Sequence, residues 1–344
     1  MAATERRLPG GLFDSRGEVM TRWPAWDERT HPQDVEFGCP WPVRGINPRV
    51  AVLRERSVAW MHDFGLAEDR RVNADRYTDW LLAESAGWWF PQAPTERLQV
   101  VSDYIGWAFT PVDDVFDGPV GRDLAAATDL CRAMTAVLDA PDAPVPAGAA
   151  PRVHAFADLW RRLRRGRSRW WVRRSTAHWH AFFAAQACEI ANRVNGRTST
   201  LRQLTVIKCA YPIFDMSEAV SDFELPSLVW YSPWLTEFRT CLAEIITLNN
   251  DLVSSGKEAR AGDHRNNLLL IAEGGGRARP DAFAHLAAMV HRRGERAVAL
   301  EEQISDFDVL LTDAERRAVR RYVRHLQDIV AGDNRWERLS GRYR

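Results

Sequence analysis

From Pro48 onward, apolar residues recur at three- and four-residue steps, the spacing that places them along one face of an α-helix. Val50, Val52, Leu53, Val58, Trp60 and Met61 begin the series. The same period predicts helices over 76–89, 96–110, 123–138, 153–163, 175–193, 201–209, 233–251, 280–307 and 313–333. Helix breakers separate them: PQAP at Pro91, DGPVG at Asp117, APDAPVPAGAAP at Ala140 and GGGRARP at Gly274. Alternating β-branched runs are missing, so an all-α bundle of about ten or more helices is expected. The pattern keeps its character throughout, which predicts one domain over 35–344. Residues 1–34, rich in Gly, Pro and charge without a period, are expected to form a mobile arm.

Composition removes several function classes. Lys+Arg and Asp+Glu are equal at 46 each, so no net charge draws the protein onto nucleic acid or an anionic membrane. Cys39, Cys131, Cys188, Cys209 and Cys241 are dispersed and odd in number, which fits reduced thiols in the cytoplasm better than a disulfide framework or a zinc site. No apolar segment reads as a signal peptide or a membrane span. The run RRLRRGRSRWWVRR over 161–174 interleaves arginine with tryptophan, as single-stranded nucleic-acid binders do. In a neutral chain with no surrounding nucleic-acid module, a solvated helix end and loop is the preferred reading.

Two clusters carry candidate chemistry. In Asp113-Asp114-Val115-Phe116-Asp117, Asp113 and Asp117 fall at i and i+4 and share a helix face. Like charges so close repel, and the end of a helix disfavours carboxylates through its dipole. A divalent cation would offset that cost. In Asn250-Asp251-Leu252-Val253-Ser254-Ser255-Gly256-Lys257-Glu258, Asn250, Ser254 and Glu258 fall at i, i+4 and i+8. An amide oxygen, a hydroxyl and a carboxylate in one line are hard ligands suited to Mg²⁺.

DDVFD resembles the aspartate-rich motif of class I terpene synthases, and NDLVSSGKE resembles their second metal motif, Asn-Asp-x-x-Ser-x-x-x-Glu. FELPSLVWYSPWL and AGDHRNNLLLI are similar to the flanks of the second motif, and RWERLSGRYR to the closing Trp…Arg-Tyr signature, here Trp336, Arg342 and Tyr343. The likeness runs from about Asp34 to Tyr343 and is nearest to bacterial sesquiterpene cyclases of the pentalenene synthase type. It implies a helical bundle around a central cavity. It also implies a carbon–oxygen lyase that ionises an acyclic allylic diphosphate, farnesyl diphosphate favoured, with geranyl and geranylgeranyl diphosphates behind it. The product would be a terpene hydrocarbon or alcohol and diphosphate.

The resemblance further implies three Mg²⁺ ions, with Mn²⁺ a possible substitute. Two would be held by Asp113 and Asp117, and the third by Asn250, Ser254 and Glu258. Lys257, Arg342 and Tyr343 would grip the diphosphate. Phe109 and Trp336 would line the carbocation cavity, with Trp107, Phe214 and the Trp88–Trp89 pair better read as core. Pro111 would interrupt helical hydrogen bonding just before the first motif.

The family's diphosphate-sensing arginine falls here on Lys208, a point charge without a bidentate fork. The Asp and Gly that normally follow read as Tyr211 and Pro212. An alternative register gives the role to Arg202. A chain-elongating prenyltransferase would carry a second Asp-rich motif in place of the Asn/Ser/Glu set. A helical binding protein with a degenerate site is the rival outside enzymes. No nucleic acid or membrane span is expected, and monomer and homodimer both stay open.

Overall fold

The computed structural model describes residues 33, 38–66, 70–109, 113–116 and 118–344; the side chains of residues 70–73, 113, 114 and 119 are not among what it describes. Fifteen α-helices and no strand occur among the described residues: α1 (Val50–Asp63), α2 (Arg70–Asp79), α3 (Leu82–Trp89), α4 (Thr95–Trp107), α5 (Asp113–Phe116), α6 (Leu124–Asp139), α7 (Pro151–Leu163), α8 (Arg169–Val194), α9 (Leu201–Ile207), α10 (Ala210–Ala219), α11 (Ser227–Trp230), α12 (Pro233–Arg260), α13 (Leu268–Gly274), α14 (Arg279–Glu302) and α15 (Asp313–Leu339).

Local chemistry sets the boundaries. Asp123, Ser168, Ser232 and Asn267 each accept hydrogen bonds from the first turn of the helix that follows, satisfying amides that have no partner within the helix. Thr200 with Gln203, and Thr312 with Glu315, form reciprocal capping boxes at α9 and α15. The single helix expected over 76–89 is two, because Leu81 takes a left-handed conformation at φ 54°. Helices α8, α12 and α15 extend beyond their expected ends, and α10 was not anticipated.

The α15–α3 contact bears directly on the site. A Cβ at Gly332 would lie 2.9 Å from the Trp88 carbonyl carbon and Cβ, so only glycine permits this approach. Gly332→Ala is expected to destabilise the fold by about 1–3 kcal/mol through overpacking. Thermal unfolding checks this, and an unchanged midpoint would be incompatible with the packing described.

The arginine run divides: Arg161, Arg165, Arg169 and Arg173 are exposed, as a solvated helix end and loop predicts, whereas Arg162, Arg164, Arg167 and Arg174 turn inward. Arg162 pairs with buried Asp103 at 2.7 Å, and Arg164 with Asp142. Arg167 donates to the carbonyls of Glu218, Ser221 and Phe223. Arg174 pairs with Glu218, both buried, and stacks 3.8 Å from the Trp230 ring centroid. Arg239 of α12 lies 4.3 Å from the same ring, and Asp215 receives His178 at 2.7 Å and Arg239 at 3.4 Å. These pairs tie α8, α10, α11 and α12 together, which uses charge that a solvated loop would leave in water.

None of the five cysteines forms a disulfide, and no helix of the described residues is long and apolar enough to cross a membrane. Of the expected N-terminal arm only Gln33 is described. It is buried, and its amide donates to the carbonyls of Glu337 and Ser340, both at 2.8 Å; the remainder of 1–34 lies outside the described residues.

Candidate active site

Three long helices share one design. Helix α8 presents Phe182, Gln186 and Glu189, helix α12 presents Ile246, Asn250, Lys257 and Glu258, and helix α15 presents Ile329, Asp333, Trp336 and Glu337 to a single cavity. On each, the apolar residue comes first and the ionisable ones follow toward the C-terminus, at steps that keep them on one face. The cavity has a volume of about 160 Å³. Tyr104, Phe109, Phe116, Trp89 and Ile213 complete its apolar wall, and Lys208 and Arg342 add positive charge.

The acidic groups therefore gather near helix C-termini, whose dipoles add partial negative charge. Burial, reinforced by neighbouring Asp333, pushes the Glu337 carboxyl well above the usual range. Burial raises Asp333 to about 7. Burial also lifts Asp251 to about 7 despite the pull of Lys208. Lys208 Nζ stands 3.5 Å from Asp251 Oδ1 and 3.6 Å from Glu258 Oε1. Burial works against its charge, but Glu258 and Asp251 outweigh it and hold the ammonium above the ordinary lysine range.

Asn250 Nδ2 donates to Glu337 Oε1 at 2.8 Å and to the Tyr343 hydroxyl at 3.0 Å. With the nitrogen committed, its Oδ1 is the atom left for a ligand. The buried Oε2 of Glu258 has no hydrogen-bond partner among the described residues. A buried carboxylate oxygen without a donor is costly, and a cation removes that cost. Asn250 and Glu258 thus fit a hard divalent metal. Ser254 fits less well: it is fully buried, is not among the cavity-lining residues, and its Oγ stands 3.4 Å from Asn267 Nδ2. Of the two expected ligands in the first cluster, only the backbone of Asp113 is described, in α5; its side chain, all of Asp117, and Pro111 lie outside the described residues. Arg193 fixes the end of α5, donating to the Phe116 carbonyl at 3.1 Å while pairing with Asp263 at 2.6 Å.

Most of the remaining expected residues meet here. Lys257 and Arg342 line the cavity, and Tyr343 is buried against Trp336 at 5.8 Å. Phe109 and Trp336 lie 4.8 Å apart, and the Arg342 guanidinium sits 4.9 Å from the Phe109 centroid, a cation–π contact. Trp336 is held by a 2.6 Å bond from Nε1 to the Trp80 carbonyl. Trp107, Trp88 and Phe214 are core, as expected, whereas Trp89 reaches the cavity wall. Arg202 is exposed on the first turn of α9 and is not in the cavity. Cys209, directly after Lys208, takes a left-handed conformation at φ 61°, and Tyr211 and Pro212 lie inside α10. Sequence reasoning missed Asp333 and Glu337. Ile329, Asp333 and Glu337 fall at i, i+4 and i+8, the same spacing that exposed Asn250 and Glu258.

The family model described as terpene synthase family 2, C-terminal metal binding, matches residues 103–296. The pentalenene synthase of Streptomyces arenae is 32% identical, over 91% of this chain and 93% of its own length. The (-)-beta-caryophyllene synthase of Saccharothrix espanaensis is 32% identical over 91% of this chain and 89% of its own length. Among solved structures, wild-type cucumene synthase gives a TM-score of 0.78 at 36% identity, covering 88% of this chain and 99% of its own. The linalool/nerolidol synthase from Streptomyces clavuligerus in complex with 2-fluorogeranyl diphosphate gives 0.78 at 27% identity, covering 90% and 100%.

Proposed function

Because the chain belongs to the terpene synthase family, a family of metal-dependent lyases, we propose that it ionises an acyclic allylic diphosphate, farnesyl diphosphate first among candidates, and releases a terpene hydrocarbon or alcohol. One observation carries this reading: the Asn250 amide, the partnerless Glu258 oxygen and the cations Lys208, Lys257 and Arg342 border the same cavity as the Phe109–Trp336 aromatic pair.

Asn250 and Glu258 would hold one Mg²⁺, with Ser254 the weaker member of its set, and Asp113 and Asp117 would hold two more. Mn²⁺ is the natural substitute. Metal bound there supplies Lewis-acid neutralisation of the diphosphate charge. The protein's own cations do the rest of the charge work. The Arg342 fork is planar and permanently charged, and so suits phosphate; Lys257, Lys208 and the Tyr343 hydroxyl add donors aimed at the charge that develops as the C–O bond breaks. The Phe109 and Trp336 faces stabilise the allylic cation without attacking it, and the apolar wall keeps water from quenching it early. Five cysteines outside any disulfide support work in the cytoplasm.

Incubation with farnesyl diphosphate and Mg²⁺ should release pyrophosphate. Excess chelator should stop release and added Mg²⁺ should restore it. Mass spectrometry of products from geranyl, farnesyl and geranylgeranyl diphosphates then fixes chain length. Release that requires an added acceptor diphosphate would make the protein a chain-elongating enzyme, and no release from any of the three would make it a binding protein.

A further inference from the structure

A metal-ligating asparagine has an orientation problem. Its amide is nearly symmetric in shape, and half a turn about Cβ–Cγ exchanges a ligating oxygen for an NH₂ group that repels a cation. The Tyr343 hydroxyl, 3.0 Å from Asn250 Nδ2, does not resolve this, because a hydroxyl both donates and accepts. Glu337 Oε1, 2.8 Å from the same nitrogen, accepts only: the ionised carboxylate has no proton to give, and where burial keeps the group protonated the proton belongs on Oε2, which has no partner among the described residues. It therefore distinguishes the two orientations.

Glu337 is also fixed in place. It is 1% exposed, and it lies one turn from the Gly332–Trp88 contact. Trp336, beside it, is bonded to the Trp80 carbonyl, and the main-chain carbonyl of Glu337 accepts from Gln33 at 2.8 Å. The carboxylate is thus carried by a rigid helix that packs against α12, and it reaches a residue 87 positions away in the chain. Outer partners that fix a ligand's orientation commonly govern metal affinity by about 10–100-fold.

We propose that Glu337 is a positioning residue of the metal site: its Oε1 holds Asn250 Nδ2 so that Asn250 Oδ1 faces the cation. The inference rests on the metal-dependent reading of the cavity given above.

The test is a reciprocal exchange read by Mn²⁺ binding, measured from the loss of the free-ion paramagnetic resonance signal in the presence of inorganic pyrophosphate. Glu337→Gln keeps shape and a hydrogen bond, but its amide pairs with Asn250 in either orientation, so affinity should fall about 10-fold. Asn250→Asp sets two carboxylates against each other and should also weaken binding. In the double variant Asn250→Asp/Glu337→Gln, the new amide donates to the new carboxylate, whose other oxygen faces the metal. Affinity should return to within about two-fold of wild type, a coupling that a double-mutant cycle isolates. A merely structural role for Glu337 would lower metal-free unfolding midpoints in Glu337→Gln without producing this rescue. Wild-type affinity in Glu337→Gln, or a double variant no better than its parents, overturns the proposal. A wild-type protein that takes up no Mn²⁺ overturns the metal-dependent reading itself.

Discussion

Asn250→Ala is expected to lower pyrophosphate release from farnesyl diphosphate on the order of 10³-fold, the size of losing a main electrostatic stabiliser of the departing group. The effect should be large for two reasons that act together. Alanine removes the only cavity-facing amide oxygen of α12, and it removes the donor that Glu337 Oε1 and the Tyr343 hydroxyl share. Glu337 would then be a buried carboxylate without its hydrogen bond, beside Asp333, in a space meant to receive an anion. Glu258→Ala should fall in the same range, since its partnerless Oε2 is the other oxygen available to a cation on that helix. Circular dichroism and unfolding midpoints should show that the variants fold. Wild-type turnover in either would remove α12 from the metal site.

The second large effect is expected at Lys208. Lys208→Ala should slow single-turnover ionisation on the order of 10²-fold, whereas Arg202→Ala should stay within about two-fold of wild type. Lys208 lines the cavity between Asp251 and Glu258, and Arg202 is exposed outside it. The lysine follows helix α9 directly and precedes Cys209, whose left-handed backbone ends one helix and starts the next. The bend aims the ammonium at the polar end. Removing that ammonium also strips buried Asp251 of its counter-charge, so Lys208→Met, which keeps the apolar stem, separates lost charge from lost packing. If Arg202→Ala proved the slower of the two, the diphosphate contact would belong to the start of α9.

Several features were legible in the chain before any coordinates. The three- and four-residue period located most helices because side chains four apart share a face whatever the helix packs against. The spacing of Asn250 and Glu258 put both on one helix face for the same reason, and both border the cavity, where the aromatic pair Phe109 and Trp336, named from the resemblance, also meets. The split at Leu81 was not legible, because a leucine at positive φ breaks the usual preference and only its neighbours enforce it. The arginine run was read only in part for a related reason. Composition says that eight arginines are present, and it cannot say which of them will find Asp103, Glu218 and the carbonyl groups at 218–223 opposite and which will stay exposed.

What the sequence alone determined, then, is where most of the helices run and which oxygen-bearing side chains share one face of a helix. What only the tertiary structure decided is which faces meet. It covered Ser254 against Asn267, left Arg202 outside, placed Trp89 on the cavity wall and set Glu337 on the amide of Asn250. The physical reason is that periodicity fixes a side chain's direction relative to its own helix axis, while the rotation and approach of one helix on another depend on close contacts such as Gly332 on Trp88, formed by residues far apart in the chain.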